Sequence, residues 1–155
     1  MNCPATTIPV MEAPNVAELV PIPRVWERLA QVEQRLYEVT EAEDEFLTKI
    51  ARHLLNAGGK RLRPLLAQVT AELGPAQDDR PVEAGTAVEL IHLGSLYHDD
   101  VIDDAGLRHG TASVNTTWGN TAAILAGDFL MARASEVAAA SLGLDSVVLL
   151  ARTYA

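Results

Sequence analysis

The sequence has one cysteine, Cys3. It cannot form a disulfide within the chain, and nothing argues for an oxidising compartment. Aromatic residues make up only 5% of the chain, while alanine and leucine are plentiful; that excludes a typical β-sandwich and favours helices. Basic side chains are scarce: 12 Lys and Arg stand against 21 Asp and Glu, a net charge of −9. A nucleic-acid binder of the usual basic type is therefore excluded. The first 20 residues lack a basic segment followed by a continuous apolar run, so no signal peptide is expected. The most apolar later stretch, Thr121–Leu144, is interrupted by Asp128, Arg133 and Glu136, which argues against a membrane span. These absences together predict a soluble, cytoplasmic protein. The 155 residues suffice for one domain with a real core.

Helical periodicity organises what is present. Residues 1–22 hold four prolines without periodicity and read as a loose N-terminal arm; residues 23–155 read as one helical domain. From Pro23, apolar residues Val25, Leu29, Val32, Leu36 and Val39 recur every three or four positions, with Pro23 in the first turn. A second helix is expected over Glu41–Leu55, with Phe46, Leu47, Ile50 and Leu54 inward, ending at "NAGG". Others are expected over Pro64–Leu73, Val82–Ile102 and Thr121–Ser141. "VNTTWG" suggests a short turn, and Gly143 breaks the chain before a last segment that Asp145 is placed to cap. No stretch reads as a convincing strand. The fold class is all-α.

Four aspartates crowd into "HDDVIDD", residues 98–104. On a helical wheel, His92, Ser95, Asp99 and Asp103 form one stripe, and Asp100 and Asp104 pair beside it. Like charges four apart on a helix cost about 0.2–0.5 kcal/mol per pair. The C-terminal end of the helix dipole disfavours anions further. One reading is a solvated helix end. The other is a site for a hard divalent cation: Mg²⁺ is often held by one or two carboxylates together with substrate phosphates. A second cluster, "GGKRLRP", sets Lys60, Arg61 and Arg63 beside two glycines before a helix start. It reads as a solvated basic turn or as an anion site. "LRHG" adds Arg108 and His109 shortly after the aspartates. Carboxylates and cations in separate clusters suggest a metal-bridged polyphosphate ligand.

"GGKRLRP", "ELIHLGSLYHDDVIDD", "LRHGTASVN" and "WGNTAAILAGDFL", in this order and at these distances, resemble the trans-isoprenyl diphosphate synthases, or polyprenyl synthetases. The resemblance covers roughly 47–155. It implies an all-α isoprenoid synthase-type bundle around a deep cavity, usually dimeric. It also implies condensation of isopentenyl diphosphate with an allylic diphosphate. By that resemblance Asp99 and Asp103 hold Mg²⁺ on the allylic diphosphate, with Asp100 supporting. Lys60, Arg63 and His92 match the grip on isopentenyl diphosphate, and Arg108 matches the arginine that contacts the allylic diphosphate. In this family, bulk four or five positions before the first aspartate limits product length. Those positions are Ser95 and Gly94, both small, so a medium-to-long polyprenyl product is expected.

Two departures stand out. His109 occupies a position where the family usually has a second arginine, which implies looser binding of isopentenyl diphosphate, or binding that strengthens as pH falls. Family members also run to roughly twice this length and carry a second aspartate-rich motif; "QDDRP" (77–81) is not it. The expectation is therefore an N-terminal half, inactive alone, of a homodimer or heteromer when complete. The run Val147–Leu150 is expected to lack cover. The competing expectation is a non-catalytic partner or regulator of a complete synthase. A terpene cyclase shares an aspartate-rich motif but does not require a second diphosphate site at "GGKRLRP".

Overall fold

A computed structural model describes residues 16–75 and 78–154. Helix α1 (Val16–Leu19) is a single turn, so the far end of the expected loose arm is helical; residues 1–15 lie outside the described residues. Helix α2 (Pro23–Val39) starts with Pro23 in its first turn, as expected, and buries Val25, Val32 and Leu36.

The expected helix over Glu41–Leu55 is corrected in two places. It starts at Glu45, because the Asp44 carboxylate accepts from the Leu47 N–H at 2.8 Å and caps it. It also breaks at Arg52, giving α3 (Glu45–Ala51) and α4 (His53–Asn56). The cause is Tyr97, which is fully buried. Its hydroxyl accepts from the Leu54 N–H at 3.3 Å and donates to the Ile50 carbonyl at 2.7 Å. Those two groups pair directly in an unbroken helix, so the hydroxyl is inserted into the ladder. Burial pushes the Tyr97 hydroxyl well above its ordinary pKa, keeping it a donor. Contrary to expectation, Phe46 is exposed, while Ile50 and Leu54 are core.

Helix α5 (Leu62–Ala71) begins two residues earlier than the sequence suggested. Helix α6 (Arg80–Ile102) runs through the centre, packed against α2, α5 and the later helices. It buries Leu90, Leu93, Leu96 and Tyr97. The loop after it contains a two-residue hairpin, β1 (Leu107–Arg108) with β2 (Thr111–Ala112), antiparallel with Arg108 opposite Thr111. Periodicity has no purchase on strands this short, and none was expected. Helix α7 (Val114–Trp118) is the expected short turn.

Helix α8 (Asn120–Val137) passes into a π-helical turn, Ala138–Leu142. It lies tightly against α6 because two glycines face each other: a Cβ on Gly94 would stand 2.9 Å from the Gly127 carbonyl oxygen, and one on Gly127 would stand 2.4 Å from His98 Nε2. Gly143 (φ +90) ends the turn, and α9 (Leu144–Tyr154) follows. Asp145 lies inside the first turn of α9 rather than capping it. Val148 and Leu149 are exposed, and Leu150 packs against the rim of the core. Among the described residues no helix is long and apolar enough to cross a membrane.

The inserted hydroxyl makes a prediction. Tyr97→Phe leaves the Ile50 carbonyl and the Leu54 N–H buried without their partner, and is expected to destabilise the fold by about 1–3 kcal/mol in urea unfolding. A loss under about 0.3 kcal/mol would mean that the break does not depend on the hydroxyl.

Candidate active site

Two clusters meet at the hairpin. The first is the C-terminal end of α6. Asp103 caps the helix and its N–H donates to the Asp99 carbonyl at 2.8 Å, so the two residues stand one turn apart. Both are exposed, and their carboxylates make no hydrogen bond or ion pair among the described residues. Asp100 points the other way and is fully buried. Its Oδ1 accepts from Arg108 Nε at 2.7 Å and from Nη2 at 2.6 Å. Its backbone carbonyl accepts from Asn115 Nδ2 at 3.1 Å. Among the described residues Asp100 Oδ2 has no hydrogen-bond partner. The four like charges of "HDDVIDD" are thus separated: one is neutralised inside and the others face out. Ile102, between them, is also exposed. Among the described residues no group of three or more side chains is arranged to hold a metal ion by itself. Two free carboxylates one turn apart do fit Mg²⁺, which completes its shell with water and substrate oxygens.

The second cluster surrounds a cavity of about 280 Å³. It is lined by Lys60, Arg61 and Arg63, which the sequence had grouped, by His92 and His109, which the resemblance had added, and by Glu89. Lys60 and Arg63 are exposed and make no hydrogen bond or ion pair among the described residues. Burial, reinforced by Arg63, His109 and Arg61, holds the His92 imidazole below its ordinary pKa, with Asp99 opposing weakly. Arg61 differs from its neighbours. Its guanidinium turns inward onto Glu33 and Glu89, so it is not a free cation of the anion site. Glu89 was not singled out in the sequence. The signal was its position three residues before His92, on the same side of α6.

The hairpin joins the clusters through adjacent residues. Arg108 reaches Asp100, while His109 lines the basic cavity and its Nδ1–H donates to the Gly58 carbonyl at 3.3 Å. His109 adopts a left-handed conformation (φ +51). On the other side His53 Nε2–H donates to the Ala112 carbonyl at 2.6 Å, and the Ser113 hydroxyl donates to the Ala105 carbonyl at 2.5 Å. A larger, apolar cleft of about 600 Å³ lies between α5, α6 and α9, lined by Leu66, Val88, Ile91 and Ser95 among others. Arg63 and His92 line both cavities, so the cation-rich pocket and the apolar cleft share one wall. Ser95 faces the cleft. Gly94 is instead packed against α8 and does not line it.

The polyprenyl synthetase family model matches residues 44–154. The chain belongs to the polyprenyl synthetase family. It is 43% identical over 156 residues to nonaprenyl diphosphate synthase of Mycobacterium tuberculosis, covering 100% of this chain and 45% of that one. It is 44% identical over 108 residues to heptaprenyl diphosphate synthase component 2 of Geobacillus stearothermophilus, covering 70% and 34%. A polyprenyl synthase of Caulobacter crescentus, crystallised with calcium and isoprenyl diphosphate, superposes with a TM-score of 0.80 at 34% identity, over 88% of this chain and 40% of that one. The chain thus spans less than half the length of these relatives, in keeping with the expected N-terminal half.

The buried pair makes a prediction. Arg108→Ala strands the Asp100 carboxylate inside the protein and is expected to cost about 3 kcal/mol, the low end for removing one partner of a buried pair, because Arg108 keeps some exposure. Asp99→Asn, at an exposed position, is expected to change stability by less than about 0.5 kcal/mol. Paired denaturant titrations measure both; equal effects would refute the separation of roles.

Proposed function

We propose that this chain carries the substrate-binding half of a prenyltransferase. That enzyme condenses isopentenyl diphosphate with an allylic diphosphate and releases a longer polyprenyl diphosphate. The observation that carries the proposal is the hairpin. It sets one arginine against the acidic end of α6 and the adjacent histidine into a cation-lined pocket that opens beside an apolar cleft.

Each residue has a physical task in this reading. Lys60, Arg63 and His92, with His109, hold the diphosphate of isopentenyl diphosphate. Arg108, oriented by Asp100, faces the diphosphate of the allylic substrate. Asp99 and Asp103 would hold Mg²⁺, which when bound stabilises the negative charge that grows on the departing diphosphate. The allylic C–O bond breaks with its electron pair going to that diphosphate, and cationic side chains favour this by electrostatics. The double bond of isopentenyl diphosphate attacks the resulting allylic cation. The proton then lost passes to the released pyrophosphate, so the protein supplies neither the nucleophile, which is the double bond, nor the base. Leu66, Val88 and Ile91 give the cleft apolar walls that keep water from the cation. The chain-length role rests on Ser95, which lines the cleft.

A second reading is a partner subunit of a complete synthase. It draws on the relative whose name calls it a component. Intact, free Asp99 and Asp103 favour the catalytic reading, because a scaffold has no physical need of them.

The test is calorimetric titration of isopentenyl diphosphate into the chain, followed by turnover with Mg²⁺, an allylic diphosphate and labelled isopentenyl diphosphate. Binding is expected, with Lys60→Ala or Arg63→Ala each weakening it about tenfold or more. Turnover by the isolated chain is not expected; wild-type binding by both variants would refute the site. The pH dependence has a definite sign. An anion beside His92 raises its lowered pKa, so complex formation takes up a proton and affinity rises as pH falls from 8 to 6. His92→Gln is expected to weaken that dependence, and the double variant His92→Gln with His109→Arg to flatten it. In a complete enzyme with this N-terminal half, Ser95→Phe is expected to shorten the product. A ten- or fifteen-carbon main product from the unmodified enzyme would contradict the chain-length reading.

A further inference from the structure

Arg61 is placed as if to bind an anion, yet every donor it has is already committed. Its Nε donates to Glu33 Oε2 at 2.8 Å. Nη1 donates to the Gly58 carbonyl and to Glu89 Oε1, both at 3.4 Å. Nη2 donates to Glu33 Oε1 at 2.9 Å and to the Leu55 carbonyl at 3.2 Å. A guanidinium has five N–H donors, and here all five are used. The side chain is buried, with 9% of its surface exposed. The residue itself sits in a left-handed conformation (φ +46) immediately before α5. A non-glycine residue there carries strain of about 1–2 kcal/mol, so something must hold it.

The environment is built around that guanidinium. Gly59 (φ +154) has no Cβ; one added there would stand 3.0 Å from Arg61 Nη1. Glu33 comes from α2 and Glu89 from α6. Two carboxylates, the Leu55 carbonyl of α4 and the Gly58 carbonyl of the turn therefore close on one planar cation. Glu89 is buried and also lines the basic cavity. Left unpaired, its carboxylate would face an incoming anion.

We propose that Arg61 is a positioning residue, a buried clamp that fixes the turn bearing Lys60 and Arg63 and screens Glu89, so that those two free cations converge on a diphosphate that Arg61 never touches. The inference rests on reading the cavity as a diphosphate pocket. Two consequences separate it from a direct role in binding. Lysine at 61 keeps the charge but lacks the planar fork, and cannot bridge both carboxylates and both carbonyls. Loss of the clamp frees the backbone of the turn even with no ligand present.

The experiment uses the 155-residue chain and inorganic pyrophosphate as probe. Calorimetry runs below the melting transition of every variant, and nitrogen-15 relaxation reports on Gly59 and Lys60 without ligand. Arg61→Ala and Arg61→Lys are each expected to weaken pyrophosphate binding about tenfold, and to mobilise Gly59 and Lys60 on the nanosecond timescale. Arg63→Ala is expected to weaken binding while leaving the turn rigid. Two results overturn the proposal: wild-type affinity in Arg61→Lys, or a turn as rigid in Arg61→Ala as in the wild type. A wild-type chain that does not bind pyrophosphate refutes the pocket reading instead, and the relaxation data then decide alone whether Arg61 sets the turn. If Arg61→Ala does not fold, Glu33→Gln, which weakens the clamp from its more exposed side, makes the same comparison.

Discussion

The rest of the molecule depends on the near-complete burial of α6. A helix covered on almost every side cannot spread its polar residues over a solvated face. It must aim each one at an opening or pair it inside. Glu89 and His92 reach the basic cavity, and Ser95 reaches the apolar cleft. Asp99 and Asp103 emerge at the end, and Asp100 is paired within. The chemistry of the site is thus a by-product of where coverage fails. Glycines at 94 and 127 tighten that coverage by letting α8 approach to backbone contact. Tyr97 completes it from the other side, at the price of a broken helix.

Electrostatics explains how a chain of net charge −9 keeps a cation-lined pocket. The carboxylates that reach the pocket wall or lie behind it are answered one by one, while Asp99, among the described residues, stays unpaired at the end of α6. Glu33 and Glu89 are bound by Arg61, and Asp100 by Arg108. Lys60 and Arg63 are the cations left over, and they face the cavity. Burial disfavours a charged His92, so the pocket's fixed charge comes from lysine and arginine. Net charge describes the surface as a whole; the local field depends on which carboxylates are already matched.

Much of this was legible in the sequence. Apolar spacing placed α2, which is amphipathic, and length with an alanine- and leucine-rich composition placed α6 and α8, which are apolar nearly all round and carry no such period. The wheel put His92 and Asp99 on one stripe, and both clusters of charge were visible in the text. Three features were not legible, each for a physical reason. The break at Arg52 comes from a tyrosine more than forty residues away, and no local pattern announces a tertiary hydrogen bond. The inward turn of Arg61 depends on Glu33 and Glu89, which look like ordinary surface charges one helix at a time. The different fates of Asp99 and Asp100 follow from which side of α6 is covered, and adjacent identical letters carry no mark of it.

Arg108 and His109 are neighbours in the chain and serve different clusters. Consecutive Cα atoms are about 3.8 Å apart whatever the helices do. A spacing set by packing drifts as helices slide and breathe; this one is set by a peptide bond. The hairpin therefore acts as a gauge block between the acidic end and the cationic pocket. Only the backbone spacing is fixed in this way; the hydrogen bonds to Asp100 and Gly58 then hold each side chain at its own cluster.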